Sequence, residues 1–400
     1  MVSFRLVALG VLTLAAPAPA QDLVVRCDKV FTMNDADEVF TPGEVHVEQG
    51  RIVYAGAPTE VGPGVTVVDH PGGWITPGYV DLHTHIHTGG WGDINDMVRS
   101  VNPELRSSGT VRSNNRQLQV ALAAGVTTLF GIPGSGTNIG GFGVLYKSKA
   151  TPHYEEAVIE SVGGMKVAQD SNPQRRAGDF GFGNNRASMG WILEDVADRA
   201  LGALRAQRFD PALADLARVL SRDLPVLIHT AGGEGVLNAA QMWHLQYGTR
   251  CVVSHGSFDG WKSAKQLAEW GVPVNHGPRT MDWYSTANGR LNGTAAIYEA
   301  AGVPNFSLNT DSGVIPQEEF FLQGAMSARF GGDSYQMLRA LTIHPAKALG
   351  LSDRVGSLDV GKDADIVVHS GDPLDPRNRV LQVWIEGESQ YEYAQGNQRF

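Results

Sequence analysis

Cysteine is almost absent from this chain, which has Cys27 and Cys251 and no other thiol among its 400 residues. Two thiols can form at most one bridge, so a fold that depends on a framework of disulfides is excluded. Both cysteines lie in apolar stretches of the kind that form strands. We therefore predict that both are buried free thiols.

Charge is also sparse, because charged residues make up 18% of the chain and no run of lysine or arginine stands out. The formal net charge is −10, which argues against nucleic acid as a partner. Hydrophobic residues reach 42%, an ordinary share for a globular protein with a sizeable core. The length exceeds that of one small domain and fits a large α/β barrel with an appended module.

The N-terminus has the features of a secretory signal peptide. Arg5 is its only charged residue, Leu6–Ala16 is apolar, and Ala18–Ala20 forms a small-x-small cleavage site. The apolar run is too short to cross a bilayer as a helix. A buried N-terminal helix is the alternative, but it would lack a polar face. We expect residues 1–20 to be removed during export to the periplasm or medium, with no stable membrane insertion.

Both ends of the remaining chain have the pattern of short strands separated by turns. The strand-like segments are Leu23–Val25, Val45–Glu48, Arg51–Ala55, Ala364–Val368 and Val380–Gly387. We predict one composite β domain from residues 21–75 and 353–400, wrapped around a central domain of residues 76–352.

The central region alternates apolar strands with helical stretches such as Ser188–Leu220 and Lys262–Trp270, which predicts a parallel sheet covered by helices. The predicted strands after the first are Val126–Ile132, Gly143–Lys147, Val158–Lys166, Pro225–His229, Arg250–His255, Val272–His276 and Asn305–Asp311. An open doubly wound sheet binds ligands at the carboxyl ends of its strands, as a closed barrel does. Polar residues at many successive strand ends favour the barrel.

These polar residues can bind a metal ion. His83 and His85 alternate on the first strand, so their side chains lie on one face and can bind one ion. His229 and His255 each end an apolar strand, where a lone histidine is more often structural. The presence of a His-x-His strand in the same chain favours metal binding by both. A carboxylate at Asp311 needs a cation or donors to offset its desolvation, although capping a helix is the alternative.

In this order the residues resemble the amidohydrolase superfamily, over nearly all of the chain after residue 20. The motifs that carry the resemblance are Thr76–His85 (TPGYVDLHTH), Ala124–Thr128 (AGVTT), Asn309–Ser312 (NTDS), Thr342–Gly350 (TIHPAKALG) and Val355–Asp365 (VGSLDVGKDAD). Within the superfamily the chain looks like the imidazolonepropionase- and prolidase-like branch. The resemblance implies a (β/α)8 barrel with a small β-sandwich built from both ends of the chain.

The resemblance also implies two divalent ions, which we expect to be Zn2+. His83, His85 and Asp311 would hold one ion, and His229 and His255 the other. Lys166 occupies the place of a carboxylated lysine that bridges the two ions. A buried amine loses its proton readily and can then take up carbon dioxide. The alternative is a charged Lys166 that binds a substrate carboxylate.

The reaction implied is hydrolysis of a linear or cyclic amide of a small molecule by metal-activated hydroxide, with Asp311 moving the proton to the leaving nitrogen. Arg186, Arg279, His276 and Tyr146 are candidate substrate-binding residues. Either arginine could hold a carboxylate through two hydrogen bonds, or could be structural. The polar loop of residues 169–176 either lines the site or turns the chain. Association into a homo-oligomer is compatible with the sequence.

Two other functions remain open. A deaminase on the same barrel would carry a glutamate three residues after His229, where this chain has Gly232. A non-catalytic binding protein that retains the barrel would be expected to lack metal ligands, and none of the expected ligands is missing.

Overall fold

A computed structural model describes residues 22–112, 114–149, 151–176, 182–282 and 291–395, and the predicted signal peptide lies outside them. The strands are β1 (Leu23–Phe31), β2 (Val39–Phe40), β3 (Gly43–Glu48), β4 (Arg51–Gly56), β5 (Thr66–Pro77), β6 (Tyr79–Thr84), β7 (Val126–Gly131), β8 (Ile139–Lys147), β9 (Val158–Ala168), β10 (Pro225–Ala231), β11 (Arg250–Ser257), β12 (Val274–His276), β13 (Met281–Asp282), β14 (Asn292–Gly293), β15 (Ser307–Leu308), β16 (Ile366–His369), β17 (Val380–Ile385) and β18 (Glu388–Glu392). The α-helices are α1 (Arg116–Ala123), α2 (Arg186–Arg205), α3 (Ala214–Leu220), α4 (Gly233–Ala240), α5 (Ala264–Trp270), α6 (Thr294–Ala300), α7 (Phe320–Arg329), α8 (Ser334–Leu341) and α9 (Ile343–Leu349).

The central sheet has eight strands in the order β15-β12-β11-β10-β9-β8-β7-β6. A parallel bridge between Thr84 and Ser312 brings the first strand beside the segment that follows the last, so the sheet nearly closes on itself. Its strands are apolar and buried on both faces, as expected where helices cover a barrel. The predicted mixed α/β barrel is confirmed at this level.

One strand departs from the predicted all-parallel barrel, because β8 pairs antiparallel with both β7 and β9. The segment 132–138 joins β7 to β8 and is shorter than the dozen or so residues that a parallel crossover needs. A hairpin is therefore the connection that this length permits. The prediction of a parallel third strand was wrong. The short connection between β7 and β8, which is visible in the sequence, is the reason.

The helical stretch predicted over Ser188–Leu220 is two helices, α2 and α3. Helix α2 begins earlier than predicted, because Asn185 and Ser188 exchange side-chain to backbone hydrogen bonds as a capping box. Gln207 has a left-handed backbone with φ of 50°, and Pro211 follows, so one continuous helix cannot form. Helix α5 begins after a 3-10 helix at Phe258–Ser263.

The two ends of the chain form a second sheet of eight strands, ordered β18-β17-β16-β5-β1-β3-β4 with β2 beside β1. Strand β16 pairs antiparallel with β5, so hydrogen bonds join the C-terminal strands to the N-terminal ones. Their buried side chains share one apolar cluster, which includes Val25, Ile75, Val368 and Trp384. A sandwich of two layers stays a prediction, as do the domain boundaries.

A buried ion cluster lies where the terminal sheet meets the barrel. The Lys147 amine lies 2.6 Å from Asp365 Oδ2 and 3.0 Å from Asp363 Oδ2, and Arg354 lies 3.0 Å from the same Asp363 oxygen. Lys147 is 1% exposed, so its charge depends on these carboxylates.

Both cysteines are buried free thiols, as predicted. In the part of the chain that is described, no helix is long and apolar enough to cross a membrane.

Candidate metal centre

Three side chains meet at the seam of the barrel, where β6 approaches the segment after β15. Asp311 Oδ1 lies 3.1 Å from His85 Nε2 and 3.3 Å from His83 Nε2. One ligand atom from each residue fits within 4.8 Å of the others, a spacing suited to a metal ion. The alternation of His83 and His85 on a strand thus places both imidazoles beside the same carboxylate.

The imidazoles are oriented by hydrogen bonds on their outer nitrogens. His85 Nδ1 lies 2.8 Å from the carbonyl oxygen of Ile132, and His255 Nδ1 lies 2.9 Å from that of Gly277. A carbonyl oxygen only accepts, so Nδ1 carries the proton in both rings and Nε2 is left to bind a cation. His83 Nδ1 contacts the hydroxyl of Ser254 at 2.5 Å.

The two remaining predicted histidines, His229 and His255, lie next to each other in the same cluster. His255 Nε2 is buried 3.9 Å from Asp311 Oδ2 and makes no hydrogen bond with any described residue. The ring of His229, on β10, lies 4.6 Å from that of His255 between centroids, and the His83 ring lies 4.3 Å from it. Asp311 thus faces His83 and His85 with Oδ1 and His255 with Oδ2, and His229 lies beside His255.

Lys166 reaches the same place from β9. Its side chain is fully buried, its amine donates to the carbonyl oxygen of Pro133 at 3.0 Å, and it lies 3.3 Å from His83 Nε2. Burial lowers the pKa of this amine from 10.5 to about 7, although the Asp311 charge opposes the change. A large fraction of the amine is therefore neutral at neutral pH, which is the form that reacts with carbon dioxide.

The protonation states of the cluster suit a divalent cation. Burial lowers the pKa of His83 well below its ordinary value, and that of His255 also falls, so both rings are neutral. Burial would raise the pKa of Asp311, but the neighbouring His255 and His85 outweigh it and the pKa falls. Neutral imidazoles beside an ionised carboxylate form a donor set that suits a divalent metal ion.

The backbone at two of these residues is strained. Asp311 has φ of 48° and His255 has φ of 78°, in the left-handed region that residues with a side chain seldom adopt. Each such residue costs about 1–3 kcal/mol, and strain of this kind is concentrated at functional sites.

A cavity of about 320 Å³ opens over the cluster and is where a substrate would enter. Its wall includes His229, His255 and Asp311 together with Ser171, Asn172, Ala231, Ser257, Phe258, Pro278, Arg279, Met281 and Val314. The polar loop after Lys166 therefore lines the cavity through Ser171 and Asn172. The carboxamide oxygen of Asn172 is buried there without a hydrogen-bond partner among the described residues.

Of the four predicted substrate-binding residues, Arg279 alone lines this cavity. Arg186 lies 2.9 Å from Glu234, and its side chain is half exposed. His276 is buried behind His255, whose carbonyl oxygen accepts from its Nδ1 at 2.7 Å, and its Nε2 contacts Thr294 Oγ1. The positions of Arg186 and His276 favour structural roles.

Tyr146 was predicted at a strand end beside the site, and that placement was wrong. Strand β8 runs antiparallel, so its carboxyl end points to the opposite end of the barrel. Tyr146 pairs with Leu129 inside the barrel, is 1% exposed, and packs in the main apolar core.

Sequence reasoning assigned no role to Asp81 or Ser254, which contact the cluster from behind. Asp81 alternates with His83 on one face of β6, with His85 just past its end, and this alternation was a signal that could have identified Asp81. Burial raises the pKa of Asp81 to about 6, against the opposing hydrogen bonds from Thr310, from the His83 amide and from Gln317.

Comparison with known proteins agrees with this geometry. Residues 210–390 match the model of the Amidohydrolase family. Imidazolonepropionase of Mesorhizobium japonicum is 26% identical over 82% of this chain and 86% of its own length. Amidohydrolase tasK of Hapsidospora irregularis is 25% identical over 88% of this chain, which spans only 40% of that protein.

A crystal structure of an amidohydrolase from Thermotoga maritima has a TM-score of 0.84 to this chain at 28% identity, and the match covers 92% of this chain and 100% of the other. Fold, motifs and relatives agree with one another. The chain belongs to the amidohydrolase superfamily, and it is a hydrolase that acts on carbon–nitrogen bonds.

Proposed function

We propose that this protein hydrolyses the amide bond of a small molecule with the help of two divalent ions, which we take to be Zn2+. The observation that carries the proposal is the orientation of His85 and His255. Both rings give their Nδ1 protons to backbone carbonyls and direct Nε2 toward Asp311. In this tautomer the Nε2 lone pair faces a carboxylate, which is unfavourable unless a cation lies between them. A histidine with a purely structural role would not be expected to adopt it.

Bound divalent ions would lower the pKa of a water molecule so that hydroxide is available near neutral pH, and would polarise the amide carbonyl. Asp311 has a lowered pKa and borders the cavity, so it can accept a proton and deliver it to the leaving nitrogen. His83 and His85 would hold one ion with Asp311, and His229 and His255 the other. Lys166, as a carbamate, would supply the bridging oxygens.

We infer that the substrate is a linear or cyclic amide with a carboxylate. Arg279 is the one predicted substrate-binding residue on the cavity wall, where its guanidinium can pair with a carboxylate. The similarity to an imidazolonepropionase supports the branch predicted from the motifs. A cavity of about 320 Å³ suits a compact substrate. Export to the periplasm or medium stays part of this proposal.

The loop after His229 argues against deamination in favour of amide hydrolysis. Gly232, in the place of the expected glutamate, precedes helix α4, and the nearby Glu234 is 86% exposed and paired with Arg186. No carboxylate from this loop is among the described residues that line the cavity.

The test combines metal analysis with a substrate screen. The purified protein should contain close to two divalent ions per chain, and a chelator should abolish hydrolysis of N-acyl amino acids, dipeptides or cyclic amides. Zn2+ should restore the activity. Retention of full activity after removal of all metal would refute the proposal.

A further inference from the structure

A buried network lies directly beneath the candidate metal centre and is centred on Asp81. Its Oδ1 accepts a hydrogen bond from the backbone N–H of His83 at 3.0 Å. Its Oδ2 accepts from Thr310 Oγ1 at 2.5 Å and from Gln317 Nε2 at 2.9 Å. Asp81, Thr310 and Gln317 are all buried, so no bulk water competes for these bonds.

The network joins three segments of the chain. Asp81 and His83 lie on β6, Thr310 directly precedes Asp311, and Gln317 begins the 3-10 helix that follows. Gln317 Nε2 lies 2.9 Å from Thr310 Oγ1 and 3.3 Å from Thr84 Oγ1, while its Oε1 has no partner among the described residues. The amide nitrogen of Gln317 therefore faces all three neighbours, and its orientation is fixed by them.

This position matters because the barrel is weakly joined there. Strand β15 has two residues, and a single bridge within the described chain, Thr84 to Ser312, links its continuation to β6. Three candidate metal ligands lie on the two sides of this seam, with His83 and His85 on one and Asp311 on the other. Few backbone hydrogen bonds thus fix the distance between the ligands on the two sides of the seam. Hydrogen bonds between side chains must also hold the two sides together.

We propose that Asp81 is a positioning residue for the metal centre, and that it holds Asp311 at the correct distance from His83 and His85 by accepting hydrogen bonds from both sides of the barrel seam. The proposal rests on the metal-dependent function proposed above. Asp81 does not contact the candidate ligand atoms of His83, His85 or Asp311. It acts through the backbone of His83 and through Thr310.

The groups around Asp81 are all hydrogen-bond donors, so this position requires a side chain that only accepts. The His83 N–H, the Thr310 hydroxyl and the Gln317 amide all donate to it, and a carboxylate is the side chain that only accepts. In Asp81→Asn the new NH2 group would face the NH2 group of Gln317. A turn of the Gln317 carboxamide would relieve this clash, but it would give up the contact with Thr84 and leave a bond between two neutral groups, so the main cross-seam contact would be weakened. The seam would then be free to widen, with Asp311 moving away from the histidines.

The chain offers a reciprocal exchange as the test. In Asp81→Asn/Gln317→Glu the donor and acceptor trade places, because the introduced carboxamide can donate to the introduced carboxylate while its oxygen still accepts from the His83 N–H. The matched control is Gln317→Glu alone, which puts two carboxylates face to face. Zn2+ affinity is measured on metal-free protein by competition with a chromophoric chelator, and the Co2+ absorption spectrum reports ligand geometry.

We expect Asp81→Asn to lower the Zn2+ affinity by about 10–100-fold and to alter the Co2+ spectrum, the usual range for loss of a residue that orients metal ligands. The double variant should recover both properties, and Gln317→Glu alone should not. A general loss of stability would lower the unfolding temperature without changing the Co2+ spectrum. If Asp81→Asn does not fold, recovery in the double variant still supports the proposal.

Three results would overturn the positioning role. These are an unchanged Zn2+ affinity in Asp81→Asn, a double variant no better than Asp81→Asn, and a double variant that also fails to fold. Wild-type protein that binds no Zn2+ or Co2+ would overturn the metal-dependent function as well, so the two failures are distinguishable.

Discussion

Two buried lysines of the barrel should respond in opposite ways to the same substitution. Lys166 is fully buried and contacts no carboxylate of the described residues within salt-bridge distance, whereas Lys147 is 1% exposed and lies 2.6 Å from Asp365. Replacement of each by methionine keeps the bulk of the side chain and removes the amine. We expect Lys166→Met to stabilise the metal-free protein and Lys147→Met to destabilise it.

The expected change in the free energy of unfolding for Lys166→Met follows from the pKa of Lys166, which falls from 10.5 to about 7 on burial. At about 1.4 kcal/mol per pH unit, this displacement corresponds to about 5 kcal/mol. Because the folded pKa is below the unfolded one, the unfolded chain binds more protons between the two values. The cost to folding is therefore complete below pH 7 and disappears as the pH rises toward 10.5. Lys166→Met should gain about 5 kcal/mol at pH 6 and about 2 kcal/mol at pH 9.

Lys147 has the opposite balance, because its amine neutralises two buried carboxylates. Its removal leaves Asp363 with its arginine partners but deprives Asp365 of the cation that lies 2.6 Å from it. Loss of one partner from a buried ion pair typically costs about 3–5 kcal/mol.

The assay is urea unfolding of both variants and the wild type at pH 6 and pH 9, with chelator present and carbon dioxide removed. The chelator matters because bound metal would stabilise the wild type by mass action. A Lys166→Met variant that is less stable than the wild type at pH 6 would refute the reasoning. So would a gain in stability that is the same at both pH values.

Other predictions concern the reaction. Lys166→Ala should lose most metal and activity, with partial rescue by bicarbonate and short carboxylic acids, and unchanged activity would make Lys166 structural. Asp311→Asn should keep metal better than turnover, with kcat lower by about 10²–10⁴-fold in steady-state assays, as expected for loss of a general acid–base group. Full turnover would remove Asp311 from proton transfer. Arg279→Met should raise KM for substrates with a carboxylate but not for their amide analogues. Arg186→Met should leave KM unchanged for both kinds of substrate.

The sequence predicted those parts of the site that depend on local geometry. His83 and His85 are brought together by the alternation of a strand, and the apolar segments before His229 and His255 end at the same rim of the barrel. Five of the eight strands in the terminal sheet were also predicted, whereas β2, β5 and β18 were not. Each of these features depends on a few consecutive residues.

Features that depend on how distant segments meet were not predictable in this way. Tyr146 was misplaced because strand direction depends on the length of a connection rather than on the strand itself. The alternation on β6 could have drawn attention to Asp81, but its hydrogen bonds could not be predicted because its partners, Thr310 and Gln317, are more than 200 residues away in the sequence. The sequence left Arg186 open between binding a substrate and a structural role, and the fold places Glu234 beside it.

The reversed strand β8 has a consequence for engineering by loop exchange. Its hairpin, residues 132–138, lies at the rim that carries the metal centre, and the carbonyl oxygens of Ile132 and Pro133 orient His85 and Lys166. This turn contributes backbone rather than side chains, so a comparison of residue identities would rate it as freely replaceable. A grafted loop of another length would remove both acceptors together, and substrate specificity should therefore be redesigned on other loops of the rim.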